Sequence, residues 1–191
     1  MKRVQRSEIL ELGECEKIRE PFRGRVIQEK KLRRVEVGPN VSVLFENHDT
    51  VLLQVQEMLR TERITRESSV LHEIETYNEL LGGPSELGAT VMIQIADPAE
   101  RDAFLIRARG IERHIALRVG AHAVRARWDE SRVLPDMASA VMYVKFALDE
   151  TAAVALRRAD TELAIVIDHP ALSIEAPIRR ALKASLVEDL T

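Results

Sequence analysis

The chain reads as an α+β protein: a helical N-terminal part carrying a β-hairpin, then a two-layer α/β sandwich. Three observations predict this. Before about residue 85 most apolar positions recur at helical spacing. Gly82-Gly83-Pro84-Ser85 then stops that pattern. Beyond it, stretches of period-2 alternation take turns with short helical stretches. The expected units are a helical region with hairpin, residues 1–84, and a sandwich, residues 85–191.

Ser7-Glu8-Ile9-Leu10 has the form of a helix start, and helical character runs on to about Arg34. Cys15, Ile18, Phe22 and Val26 share one stripe at 100° per residue. Pro21 lacks the amide hydrogen a helix interior needs, so it kinks one helix or begins a second. A hairpin follows, with Arg34–Val37 and Val41–Phe45 joined by Gly38-Pro39-Asn40. Asn47-His48-Asp49-Thr50 supplies N-cap chemistry ahead of a helix whose core face is Val51, Leu52, Val55, Met58 and Leu59. Another helix, from about Thr65 to Leu81, turns Val70, Leu71, Ile74, Tyr77 and Leu81 inward.

In the second half Val91, Ile93 and Ile95 alternate as a strand, and Asp97-Pro98 opens a helix to about Arg109. Ile115, Leu117 and Val119 make a strand whose partner carries Val124, Ala126 and Trp128. Met142 to Leu148 forms a further strand, Glu150 to Ala159 a helix, and Leu163–Ile167 a strand apolar on both faces, as a central strand is. A last helix is expected from about Ile174 to Leu186. Two strand–helix–strand units, each with an Asp at the helix start (Asp97, Asp149), echo one another. Side by side they predict a ferredoxin-like sandwich with an extra hairpin.

Composition narrows the function classes. The 191 residues are 46% hydrophobic and 31% charged, with a net charge of -3, which suits a chain with a real core and excludes disorder driven by charge. The same balance removes the electrostatic basis for nucleic-acid binding. The basic stretch Arg23–Arg34 has no interleaved aromatic side chains beyond Phe22 and reads as a solvated helix end. With one cysteine, Cys15, no intrachain disulfide forms. The charged start lacks a following apolar stretch, and no run approaches the roughly 18 apolar residues of a membrane span, so a cytoplasmic protein without membrane contact is expected. Walker loops, nucleophile elbows, Gly-rich dinucleotide turns, HExxH and CxxC pairs are absent from the sequence.

Three groups of residues merit attention for chemistry. His72, Glu75 and Glu79 have metal-ligand spacing on one helix, but they lie opposite the apolar face, so no metal or cofactor is expected there. Asn78 sits on the apolar face, where its amide must find partners. Either it pins a neighbouring turn, or it lines a pocket with Asn47, Gln54, Glu57 and Tyr77. Third, alternation places His114, Arg118, Arg125 and Arg127 on one outer sheet face, extended by Tyr143 and Lys145, as a candidate anion-binding face. A wet sheet face with locally paired charges is the plainer account.

Taken together, Gln5–Leu10, Arg33–Asn40, Phe45-Glu46-Asn47-His48-Asp49-Thr50, Gln56–Arg60, Thr76–Leu80 and Asp168-His169-Pro170 give the chain a specific wording. It resembles the DUF3501 family of bacterial proteins of unknown function along nearly its whole length. The resemblance directs attention to Glu46, Asn47, Asp49, Gln56, Glu57, Arg60, Tyr77 and Asn78 as a candidate polar site. Genes of that family often neighbour those of rubrerythrin-like proteins and iron–sulfur oxidoreductases. The resemblance thus implies an accessory role in peroxide defence, oxygen handling or electron transfer, and the expected protein is a non-catalytic one that docks onto a redox partner and pairs with a second copy of itself as a homodimer. The alternative is a small-molecule or anion-binding module, or an enzyme, using the cluster around Asn47, Glu57, Tyr77 and Asn78.

Overall fold

The computed structural model describes residues 1–190. The α+β class holds. Among the described residues there are six α-helices: α1 (Leu12–Leu32), α2 (His48–Thr61), α3 (Glu67–Asn78), α4 (Pro98–Arg107), α5 (Glu150–Arg157) and α6 (Arg180–Asp189). The strands are β1 (Arg34–Glu36), β2 (Val41–Phe45), β3 (Glu86–Ile93), β4 (Ile115–Val119), β5 (His122–Arg125), β6 (Val141–Ala147), β7 (Leu163–His169) and β8 (Leu172–Pro177). No helix among the described residues is long and apolar enough to cross a membrane.

Local chemistry sets several boundaries. Asn47 accepts the Thr50 amide hydrogen at 3.0 Å, and Thr50 Oγ1 accepts that of Asn47 at 2.9 Å, closing a reciprocal cap on α2. Asp97 caps α4 through the Glu100 amide (2.8 Å) with Pro98 in the first turn, and Asp149 caps α5 through the Ala152 amide (2.8 Å). α1 runs through Pro21 as one continuous helix. Its expected stripe is only partly covered: Cys15 and Val26 are buried, Phe22 is half-buried and Ile18 is 48% exposed.

All strand pairs within the two sheets are antiparallel. One sheet has the order β1-β2-β3-β6 and the other β5-β4-β7-β8. Arg127, just beyond β5, and Lys145 of β6 exchange two backbone hydrogen bonds of 2.8 Å, which tie the sheets together. Alternation sends Val43, Phe45, Val91, Val144 and Phe146 of one sheet, and Leu117, Val119, Ile165 and Ile167 of the other, into a common core. Phe104 and Leu105 of α4, Leu156 of α5 and Leu182 and Leu186 of α6 complete it. A second, smaller core lies among Val4, Ile9, Val55, Leu59, Val70 and Ile74.

Two expectations change in detail. The strand–helix–strand echo is present, but β3 pairs with β6 and β4 with β7, so each unit bridges two sheets instead of closing within one. Period-2 alternation fixes which face of a strand is buried and does not name its neighbour. The hairpin β1–β2 likewise joins β3 in the first sheet, across the Gly82–Ser85 break. The helix expected from Ile174 begins later: Leu172, Ile174 and Ala176 belong to β8, with Ile174 opposite Ile167. Leu182 and Leu186 gave the helical spacing, whereas the open edge of β7 decided the preceding six residues.

Arg33 ends α1, and it is fully buried rather than solvated. Its Nε donates to the Phe45 carbonyl (2.8 Å) and Nη2 to that of Glu46 (3.3 Å). The remaining donors reach Ser185 Oγ and the Asp189 carboxylate on α6. Burial pushes the Asp189 carboxyl above its ordinary value, with the Arg33 charge opposing the shift. Lys183 of α6 donates to the carbonyls of Arg158 and Thr161, fixing the other side of the same helix to the turn after α5. Replacing Arg33 by Met leaves Asp189 and two carbonyls without their donor. Denaturant unfolding is expected to show a loss of about 3–5 kcal/mol; a change below about 1 kcal/mol would contradict this role.

Candidate functional site

The outer face of the first sheet is unevenly covered. On β2, Ser42 and Leu44 are buried beneath the helical layer, whereas on β6 Tyr143 is 38% exposed. Between α2 and α3 on one side and the segment 126–140 on the other, three adjoining cavities open, and Tyr143 lines all three. The first, about 360 Å³, is walled by Leu80, Glu86, Arg127, Trp128, Arg132 and Lys145. The second, about 180 Å³, lies under Val133, Leu134 and Met137 and reaches Glu112 and Trp128. The third, about 240 Å³, runs toward Arg34, Glu46, Gln54, Tyr77 and Thr90.

Glycine shapes the wall of the first cavity. A Cβ on Gly82 would lie 1.9 Å from the Glu86 carbonyl oxygen, and one on Gly88 1.9 Å from that of Leu80. Backbone therefore packs directly on backbone where α3 hands over to β3, which carries Leu80 and Glu86 to the cavity edge.

Most charges here are answered. Arg132 lies over the Tyr143 ring at 5.6 Å and pairs with Glu79 (3.2 Å) and Asp129 (3.3 Å). Lys145 lies 3.7 Å from Glu86. The Arg127 side chain has no hydrogen-bond or ion-pair partner among the described residues. In the third cavity the buried Glu46 carboxylate accepts from Thr50 Oγ1 (2.5 Å) and Thr90 Oγ1 (2.6 Å). Burial raises the Tyr77 phenol above its ordinary value against a hydrogen bond with Gln54, so it stays a neutral donor at physiological pH.

Of the polar residues that the sequence singled out, Glu46, Gln54 and Tyr77 share the third cavity, while Gln56 and Glu57 line a separate groove between α1 and α2. Asn47 is the α2 cap and also donates to Glu29. Asp49 pairs with Arg25; burial opposes its ionisation, but hydrogen bonds from His48 and Arg25 hold its carboxyl below the ordinary value. Glu57 accepts two hydrogen bonds of 2.8 Å from Arg19, which hold it below the carboxylate range, and Arg60 pairs with Glu16. Asn78 and Gln56 do the same work at two places. Val4 donates to Asn78 Oδ1 and accepts from Nδ2, both at 2.9 Å; Leu10 donates to Gln56 Oε1 (2.9 Å) and accepts from Nε2 (3.0 Å). Each amide imitates a strand neighbour for one residue of the N-terminal segment.

The four cations of the expected sheet face are not one site. His114 bonds the Asp168 carbonyl and stands edge-on to His169 at 5.0 Å. Arg118 is held by Glu175 (2.9 Å from Nε), Arg125 is exposed on β5, and Arg127 belongs to the first cavity with Tyr143 and Lys145. His72 and Glu75 lie exposed on α3 and Glu79 exposed at its C-cap, and among the described residues no group of three or more His, Cys, Asp or Glu side chains is disposed to hold a metal. Burial raises the Cys15 thiol above its ordinary value, as for a structural cysteine. Trp128 and Glu112 were missed. In the sequence Trp128 has the place of a strand residue and Glu112 lies between two expected elements without a motif around it; only the tertiary fold brings them to one cavity.

Fold and site define an α+β protein of two joined antiparallel sheets with a cleft centred on Tyr143. Over residues 3–190 the chain matches the family described as protein of unknown function (DUF3501), and it belongs to that family. A protein of unknown function from Burkholderia pseudomallei, known from its crystal structure, is 34% identical, with 100% of both chains covered and a TM-score of 0.92. No curated protein is detectably similar to the chain.

Replacing Asn78 by Ala strips Val4 of both partners, and Gln56→Ala does so for Leu10. Each is expected to cost about 1–3 kcal/mol and to speed hydrogen exchange in residues 3–10 while leaving the sheets protected. Unchanged exchange there would show that Val4 and Ile9 packing alone holds the segment.

Proposed function

We propose that the protein binds a small polar molecule laid across Tyr143, with an acidic group held by Arg127. The observation that supports this is the meeting of three cavities on one tyrosine beside a cation with no protein partner. Arginine presents a planar fork suited to carboxylate or phosphate, while Trp128 and Tyr143 offer flat apolar walls for the body of the ligand. Trp128 is the single tryptophan of the chain, so its emission reports directly on the cleft. Titration with small carboxylates and phosphate esters is expected to shift that emission saturably, with affinity falling about ten-fold or more in Arg127→Ala. If no compound shifts it, and no small molecule is released on denaturing protein purified from its own host, the proposal is overturned.

A second reading, docking onto a rubrerythrin-like or iron–sulfur redox protein, rests on the family resemblance. It finds a suitable surface in the apolar groove between α1 and α2, about 240 Å³, where Ile18 is exposed beside Phe22, Leu52 and Leu53. Near-stoichiometric recovery of such a protein with the tagged wild type, and its loss with Ile18→Asp, is the expected result. Recovery unaffected by Ile18→Asp, or the chain eluting alone with and without air, would remove this reading.

A further inference from the structure

The second cavity contains an anomaly that the fold does not need. Glu112 is only 5% exposed, yet its carboxylate has no hydrogen-bond or ion-pair partner among the described residues, and its Oε1 is wholly buried. Trp128 Nε1–H, on the same cavity, is buried and unpartnered as well. A buried carboxyl without a cation or donor, and a buried donor without an acceptor, are each unfavourable to the folded state. The cation best placed to answer Glu112 is Arg132, which lines the same cavity, but Glu79, Asp129 and the Tyr143 ring hold it elsewhere. Asp129, already paired with Arg132 and Ser131, and Ser139, bonded to the Val141 carbonyl, also line it; the other walls are Val133, Met137, Met142 and the Tyr143 ring, with the exposed Leu134 and Val141 at the edge.

We propose that this cavity takes the protonated amine of an organic ligand, paired with Glu112 and set against the Trp128 and Tyr143 rings, with a ligand oxygen accepting from Trp128 Nε1–H. A carboxylate supplies the counter-charge, and aromatic faces add cation–π attraction. A cavity of about 150 Å³ lined by apolar side chains holds benzene, so 180 Å³ accommodates an amine on a body of about six to eight heavy atoms. The inference deepens the proposed binding function and rests on it. Together they describe an amino acid or similar zwitterion, acid toward Arg127 and amine toward Glu112.

The test compares hexylamine with hexanol, and 6-aminohexanoate with hexanoate, in the full chain by Trp128 emission. Each amine is expected to bind at least ten-fold more tightly than its partner, and Glu112→Gln to abolish that advantage. Equal binding within each pair, or an advantage that survives Glu112→Gln, overturns the amine site. If hexanoate binds while the amine adds nothing, the cleft stands as an acid-binding site and the amine site falls; if none of the four binds, it falls as well. Stability gives an independent readout. Because Glu112→Gln replaces an unpartnered buried carboxyl by an amide of the same shape, the melting temperature of the ligand-free protein is expected to hold or to rise by roughly 2–4 °C. A fall of that size would show that Glu112 holds the fold and would overturn the proposal.

Discussion

The arrangement turns on the buried Arg33 guanidinium. It stands where the end of α1, the end of β2 and the last helix, α6, converge, and it donates to each of the latter two. A buried ion pair adds little net stability compared with apolar side chains of the same volume, but it tolerates few alternative arrangements. Here it fixes the path of the chain at Phe45 and Glu46, one residue before the α2 cap. The Glu46 side chain, its backbone held by Arg33, then reaches Thr50 and Thr90 in the wall of the cleft. The position of that wall thus depends on a contact with residues near the far end of the chain.

The cleft itself is a consequence of incomplete cover. The helical layer buries the outer face of β2 and stops at Tyr77 and Leu80, leaving the outer face of β6 to the irregular segment 126–140. That segment brings Trp128 and Arg132 beside Tyr143. Its charges pair locally, Arg132 with Asp129 and Glu79, and so hold the cavities open at their rims. Exposed ion pairs of this kind contribute little to stability; their effect here is positional.

Polar residues of the two halves serve different ends. In the first half nearly every polar side chain that drew attention closes a structural bond: Asn47 caps a helix, Gln56 and Asn78 hold the N-terminal segment, and Asp49, Glu57 and Arg60 pair across the helices. The groups left without protein partners, Arg127, Trp128 and Glu112, come from the second half and converge beside Tyr143. The groups that close structural bonds and the groups left unpartnered thus lie largely on different elements, joined where Glu46 reaches the cleft wall.

By itself the sequence determined the α+β class, the helix starts at Asn47, Asp97 and Asp149, the hairpin at Gly38 and most of the apolar faces that enter the core, Ile18 and Leu71 staying exposed instead. These follow from capping chemistry and from periods of 3.6 and 2, which neighbouring residues encode. It also posed the right question about Asn78, whose amide on an apolar face had to find partners. Only the tertiary structure decided that Val4 supplies them, that Arg33 is buried, that the strands divide between two sheets, and that Glu112 meets Trp128. Each of those depends on groups brought together from distant parts of the chain, and periodicity carries no information about which strand or side chain a given face will meet.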